Sequence, residues 1–161
     1  MKRHTIIYSL ICIFVIVCFH KSTAQHTNVV NNKTQIKIKA PKLKTSLGIF
    51  SDSVNITVDK AKAILATSLK VTDEKNTALT ITYYQLLYKQ NVTTENEETG
   101  KISPVQKFTS EIFRSTPLPP GWVNRIREDL TAGEELYFFD IIAKDEQGHI
   151  FYAPNLKIIT Q

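Results

Sequence analysis

The stretch Glu134–Thr160, reading EELYFFDIIAKDEQGHIFYAPNLKIIT, decides the fold class. It opens on a run of aromatic and β-branched residues, Leu136 to Ala143, of the kind that suits a pleated and mostly buried strand. Asp145-Glu146-Gln147-Gly148 follows with turn chemistry, and Gly148 is free to take a positive φ. A second short strand, His149 to Tyr152, comes next. Pro154 interrupts the ladder, and Leu156-Lys157-Ile158-Ile159 makes a last strand. The stretch therefore predicts a β-meander, the spine of a small β domain.

Working upstream, the pattern repeats with short helices between strands. Pro117-Leu118-Pro119-Pro120-Gly121 is a stiff turn, with Pro120 placed at the start of a helix. Trp122, Val123, Ile126 and Leu130 then recur at helical spacing, and Gly133 is expected to terminate that helix. The stripe suits packing on a sheet, while Trp122 is also a candidate anchor for a partner. Pro104–Arg114 reads as a return strand. Asn91–Lys101, polar and acidic, reads as a long hairpin loop whose carboxylates lack the alternating ligand pattern of a calcium loop.

Ala78–Lys89 is a long strand with an informative irregularity. Leu79, Ile81 and Tyr83 share one face, and then the apolar parity changes to Tyr84, Leu86 and Tyr88. A slip of one residue predicts either a β-bulge near Tyr83-Tyr84-Gln85 or a strand end covered on both sides. Before it, Leu69–Val71 suggests a short strand. Ala61, Ile64, Leu65 and Leu69 mark one face of a helix over about Asp59–Thr67, with Thr57 as its cap and Asp59 in its first turn. Val54–Val58 resembles a strand leading into that helix. Leu43–Phe50 is readable as loop or as a short strand. Gln35–Lys39 alternates Ile36 and Ile38 against Lys37 and Lys39, the pattern of a half-buried strand.

The first residues point to export. Lys2 and Arg3 precede an apolar run from Ile6 to Phe19, about 14 residues, where a spanning helix needs roughly 20. Ser22-Thr23-Ala24 has the small-residue spacing of a signal-peptidase site, so residues 1–24 are expected to be a secretory signal. Cys12 and Cys18, the two cysteines, both lie inside it. The remaining chain, about 137 residues, then carries no disulfide or thiolate ligand and is long enough for one domain with an ordinary core. Removing Lys2, Arg3 and Lys21 from the 20 basic residues leaves 17 against 15 acidic ones. Residues 25–50 carry Lys33, Lys37, Lys39, Lys42 and Lys44 and no acid. Residues 51–161 are mildly acidic. A basic arm is thus expected ahead of a β domain over 51–161. Its lysines suit either an anionic partner or an edge strand protected by charge. The absence of aromatics among them, together with export, argues against nucleic acid.

Catalytic constellations are missing. Beyond the signal only His26 and His149 remain, neither placed to serve a nucleophile–base–carboxylate triad. Zinc-ligand spacing and phosphate-binding glycine loops are absent as well, so no cofactor or metal is expected. Asp140, set in the most apolar strand, is either an outward-pointing residue or a buried, perturbed acid. Sequons at Asn32, Asn55 and Asn91 bear only on a eukaryotic pathway.

From Val54 to Ile159 the chain resembles the C-terminal periplasmic domain of the GldM (PorM) family of gliding-motility proteins. That family is part of the type IX secretion apparatus of Bacteroidetes. The matching positions are Ile56–Ala66, Leu79–Leu87, then Leu130, Gly133, Leu136, Tyr137, Phe138, Asp140, Ile141, Ala143 and Gly148, closing on Leu156-Lys157-Ile158. The resemblance implies a small domain acting by protein contact, with homodimerisation possible.

The combined expectation is a mostly β domain with two short helices. Its sheet should be mainly antiparallel and folded in two layers as an immunoglobulin-like or related sandwich. Functionally the sequence predicts an exported, non-enzymatic protein-binding module of the envelope, membrane-attached only through an uncleaved signal. Lys37, Lys39, Lys42, Lys44 and Trp122 are the candidate contact residues. Two alternatives stay open: a small hydrolase or inhibitor with a groove near Asp140, Asp145 or Glu146, and a self-associating structural protein.

Overall fold

The computed structural model describes residues 41–161, all within one compact unit, Ile38–Gln161. The signal, the Gln35–Lys39 strand, and Lys37 and Lys39 fall outside the described residues. Among the described residues nine strands and two helices follow in the order β1 (Lys44–Leu47), β2 (Phe50–Ser51), β3 (Ser53–Ile56), α1 (Val58–Ile64), β4 (Leu69–Thr72), β5 (Ala78–Glu95), β6 (Ile102–Phe113), α2 (Pro120–Asp129), β7 (Glu135–Lys144), β8 (Ile150–Ala153) and β9 (Leu156–Thr160). The expected mostly β, two-helix, sandwich-like architecture is what these elements build.

The fold turns on the pairing of β5 with β7. The ladder runs Ile81↔Ala143, Tyr83↔Ile142, Gln85↔Phe139 and on to Lys89↔Glu135. Between the first two pairs β5 holds the extra residue, and between the next two β7 holds it. The two irregularities compensate. On β5 the buried set moves from Ile81 to Tyr84, Leu86 and Tyr88, and on β7 it moves from Leu136 and Phe138 to Ile141 and Ala143. Both strands therefore change parity at one level and keep their apolar side chains inward. The slip is where the sequence of β5 places it. Its counterpart on β7 sits at Asp140, whose φ of 50° is in the left-handed region.

The spine is not a meander. β8 pairs with Ile141–Lys144 of β7, and β9 pairs with Glu135–Phe138 of the same strand. The two lie end to end along one edge, separated by Pro154-Asn155. Proline has no N–H to give the ladder, so the returning strand breaks there without reversing. The break faces the bulge at Phe139-Asp140, and Asn155 Nδ2 donates to the Tyr137 hydroxyl at 2.7 Å.

The sheet reads β2-β1-β4-β5-β7-β9-β3, with β6 on β5 and β8 on β7. All pairings are antiparallel except β3 with β9, which is parallel. The start of β5 pairs with β4 and its remainder with β6, so this one long strand serves both layers. Residues 44–50, which the sequence assigned to the basic arm, join the sheet with Ser51 as a hairpin on β4, and Leu47 enters the core.

Both helices are short and seal the open side of the core. α1 is capped by Thr57, which accepts from the Lys60 N–H at 3.4 Å, and it buries Ala61 and Leu65. α2 starts with Pro120 at its first turn and buries Val123 and Ile126. Arg127 Nε donates to the Lys62 carbonyl at 3.0 Å, so α2 satisfies an orphan acceptor at the end of α1. α2 ends at Asp129, with Leu130 in extended backbone. Gly133 therefore does not terminate the helix. It makes the tight turn into β7 at φ 82°, donating to the Thr160 carbonyl at 2.8 Å.

Candidate contact surface

β6 is the element whose surroundings differ most from the sequence expectation. Asn91–Glu95 is not loop. It continues β5 and pairs with Ile102–Gln106, leaving only residues 96–101 to turn. This end of the hairpin is exposed on both faces, so no apolar alternation marks it in sequence. Asn96 organises the turn, its side-chain oxygen accepting from the N–H groups of Glu98 and Thr99 at 3.0 Å each.

Among the described residues β6 pairs only with β5. The Ile112 N–H goes to the side chain of Glu111 at 3.2 Å instead of to β5. Because the direction of N–H and C=O alternates along a strand, Gln106, Phe108 and Ser110 turn theirs to the same free edge. Pro104 shares that parity, where its missing N–H costs no ladder bond.

Several apolar side chains along this strand are open, set between polar ones. Phe108 is 59% exposed, Ile112 47% and Ile102 66%. Register places Phe108 opposite Lys89 and Ile112 opposite Gln85 on the outer face, both diagonal to Leu87 of β5 and next to the row of Tyr137 and Phe139 on β7, while Ile102 lies further out opposite Glu95. Leu87, Tyr137 and Phe139 are half-buried, and the Tyr137 and Phe139 rings stack at 5.3 Å. Lys157 rims this face, 5.4 Å from the Tyr137 ring and 3.2 Å from Glu135. The result is an outward apolar strip bounded by charge and ending in an open strand edge.

The residues singled out from sequence distribute unevenly about this strip. Tyr137 lies on it. Phe138, Ile141 and Ala143 lie beneath it in the core, and Gly148 makes the β7–β8 turn at φ 85°. Trp122 packs inward: it is half-buried and meets the Phe113 ring edge-on at 5.6 Å, with the Arg125 guanidinium 5.8 Å above its ring. Lys42 and Lys44 are exposed at the start of the described chain. Asp140 points outward at the bulge, accepting from Gln85 Nε2 at 2.9 Å.

A cleft of about 230 Å³ lies between Asp73, Leu79, Asp145, Glu146 and Phe151, with Asp140 outside it. Two of its acids, Asp73 and Asp145, serve turns. Asp73 accepts from the Thr77 and Lys75 N–H groups at 2.8 Å, and the Thr77 bond above all holds its carboxyl below the ordinary value. Burial pushes Asp145 up, but hydrogen bonds from the His149 side chain and backbone outweigh it and hold that carboxyl low as well. A general acid needs the opposite shift. Among the described residues no three His, Cys, Asp or Glu side chains gather as metal ligands.

Glu134 is the consequential residue the sequence reading passed over. It is 2% exposed. Its carboxylate accepts from the Tyr88 hydroxyl at 2.5 Å, the Asn91 N–H at 3.0 Å and the Thr131 N–H at 3.1 Å. Its own N–H donates to Thr160 Oγ1 at 3.0 Å, and its carbonyl accepts from the Thr160 N–H at 2.9 Å. Burial, then the hydrogen bond to Glu134, push the Tyr88 phenol well above its ordinary value, so it stays a donor. This knot ties β5, the α2–β7 turn and the end of β9, and it fixes the root of the β5–β6 hairpin. Only the pair Glu134-Glu135 ahead of an apolar run hinted at it, and nothing in that spacing says which glutamate turns inward.

No protein-family model matches the chain, and no curated protein matches it. Among the described residues no helix is long and apolar enough to cross a membrane.

Proposed function

We propose that this protein is an exported, non-enzymatic protein-binding module that makes its contact through the free edge and outer face of β6. The observation that carries the reading is the open edge itself: Phe108 and Ile112 exposed along a strand whose outward N–H and C=O groups have no strand partner among the described residues. Soluble proteins protect such edges, because they template pairing with another chain. A long edge that presents Phe108 and Ile112 between polar residues suits strand addition, in which main-chain bonds supply affinity and alternate side chains supply selectivity. The signal-like first 24 residues support export. The resemblance to the terminal domain of the GldM family points the same way, towards the bacterial envelope and action by contact. Asp73 and Asp145 of this cleft accept turn N–H groups and their carboxyls are held low, the opposite of what a general acid needs, which supports binding over hydrolysis.

The test is capture from cross-linked cells of the native host, using the full chain with a C-terminal tag. The expected result is a set of protein adducts that disappears in Phe108→Asp/Ile112→Asp while thermal unfolding is unchanged. Adducts that persist in that variant, or none with the wild type, overturn the proposal. Deleting residues 25–40 asks separately whether the basic arm contributes, without cutting into β1.

A further inference from the structure

We infer that one occupant of this edge is a second copy of the same chain, paired β6 to β6 in antiparallel about a two-fold axis through Thr109. This deepens the contact reading of β6 and rests on it. The sequence of the strand carries the argument, because it is complementary to its own reverse. In antiparallel pairing centred on Thr109, Lys107 of each copy lies directly opposite Glu111 of the other. Two reciprocal ion pairs form from one surface, as an isologous interface requires. On the opposite face Phe108 pairs with Ser110 and Ile112 with Gln106. The two Phe108 rings then fall on neighbouring diagonal positions, each also diagonal to an Ile112, within reach of one another.

Backbone chemistry independently selects the same register. Two edges can exchange N–H···O=C bonds only if residues with outward-facing groups oppose each other. The Ile112 N–H marks the even-numbered residues as outward. Centring on Thr109 sets even against even, giving Gln106↔Ile112 and Phe108↔Ser110 with their symmetry mates, about eight main-chain bonds. The ladder stops at Gln106, short of Pro104, which could not donate. The contact that now caps the Ile112 N–H, the Glu111 carboxylate, is released by pairing and becomes available to Lys107. The acidic β5–β6 tips, with Glu95, Glu97 and Glu98, point to opposite ends of such a dimer and do not oppose each other.

The test uses the full chain in sedimentation velocity over a range of concentrations. Wild type is expected to show a monomer–dimer equilibrium. Lys107→Glu sets like charges opposite each other twice and should weaken the dimer about tenfold or more. The exchange Lys107→Glu/Glu111→Lys should restore it to within about threefold of wild type. Repulsion that is merely structural would not be rescued. As a geometric readout, Thr109→Cys in a Cys12→Ser/Cys18→Ser background should oxidise to a disulfide-linked dimer. Residues at the centre of a non-hydrogen-bonded pair lie about 4.5 Å apart, within disulfide range. Thr99→Cys at the hairpin tip should not cross-link. A monomer at every concentration overturns the inference. So does a dimer indifferent to the charge exchange, or one that fails to cross-link at 109. If the chain stays monomeric yet captures another protein that Phe108→Asp/Ile112→Asp abolishes, the two-fold pairing fails and the contact function stands. If neither association nor capture occurs, both fall.

Discussion

Replacing Glu134 tests the packing logic of the whole domain. Its carboxylate sits in the interior, without an ion-pair partner among the described residues, and is held by a phenol and two backbone N–H groups. Glu134→Ala leaves those three donors unpaired. A buried donor left without a partner costs about 1–3 kcal/mol; the Tyr88 phenol is buried, while the Asn91 and Thr131 N–H groups are part-buried and can turn to water, so the loss should be about 2–4 kcal/mol. That is a large share of the 5–15 kcal/mol typical of a domain. Glu134→Gln keeps one acceptor oxygen but turns an NH₂ group towards a donor, and should cost about 1.5–3 kcal/mol. Tyr88→Phe removes the phenol from the same knot and should cost a similar amount. Because the two share one hydrogen bond, the double variant should be at least about 1 kcal/mol more stable than the sum of the single losses predicts. The assay is urea unfolding followed by the single tryptophan, Trp122, whose edge contact with Phe113 breaks on unfolding. Midpoints should fall with the slope unchanged. If Glu134→Gln and Tyr88→Phe each lie within about 0.5 kcal/mol of wild type, or if their effects simply add, the knot does not hold the β5–β7–β9 junction and the reasoning is refuted.

Two further outcomes follow from local chemistry. At Asp140, φ is 50°, a conformation that Asp and Asn tolerate and β-branched residues do not. Asp140→Asn and Asp140→Gly should therefore unfold within a few degrees of wild type, whereas Asp140→Val should lose about 1–2 kcal/mol, measurable as a lowered Tm. At high pH the two buried tyrosines work against the fold. Burial raises Tyr84 to about 12, and burial together with Glu134 raises Tyr88 further. Unfolding frees both phenols to ionise at their ordinary value, so the stability they confer is complete below about pH 10 and is lost as pH rises above it. Tyr84→Phe should flatten that alkaline decline, which thermal melts between neutral pH and pH 12 would detect.

The legibility of this fold in its sequence was uneven for identifiable reasons. Where an apolar face is buried, period-two alternation is strong enough to reveal even a one-residue slip, as at Tyr83-Tyr84-Gln85. The matching slip on β7 was hidden because Phe138, Phe139, Ile141 and Ile142 are apolar on both faces, so parity carries no signal there. That continuity has its own cause: Tyr137 and Phe139 belong to the outer strip and Phe138 and Ile141 to the core. The extension of β5 through Glu95 was invisible for the opposite reason, since neither face is covered. Splitting the return strand at Pro154 could be read as a meander or as two segments along one edge, and sequence alone offers no information about which neighbour β9 chooses. The proposed contact surface was not foreseen. Trp122 drew attention as the lone tryptophan but packs on Phe113, while Phe108 and Ile112 read as ordinary strand residues until the topology left their strand at an edge.

Amide hydrogen exchange along β6 in the full chain tests the central claim most directly. The account predicts that in dilute solution the N–H groups of Gln106, Phe108, Ser110 and Ile112 exchange fast while those of Lys107, Thr109 and Glu111, bonded to β5, exchange slowly. On association, with a second copy at higher concentration or with a captured partner, the fast set should become protected. Uniform protection in the dilute chain, or a fast set unchanged in the associated protein, would contradict the assignment of this edge as the contact surface.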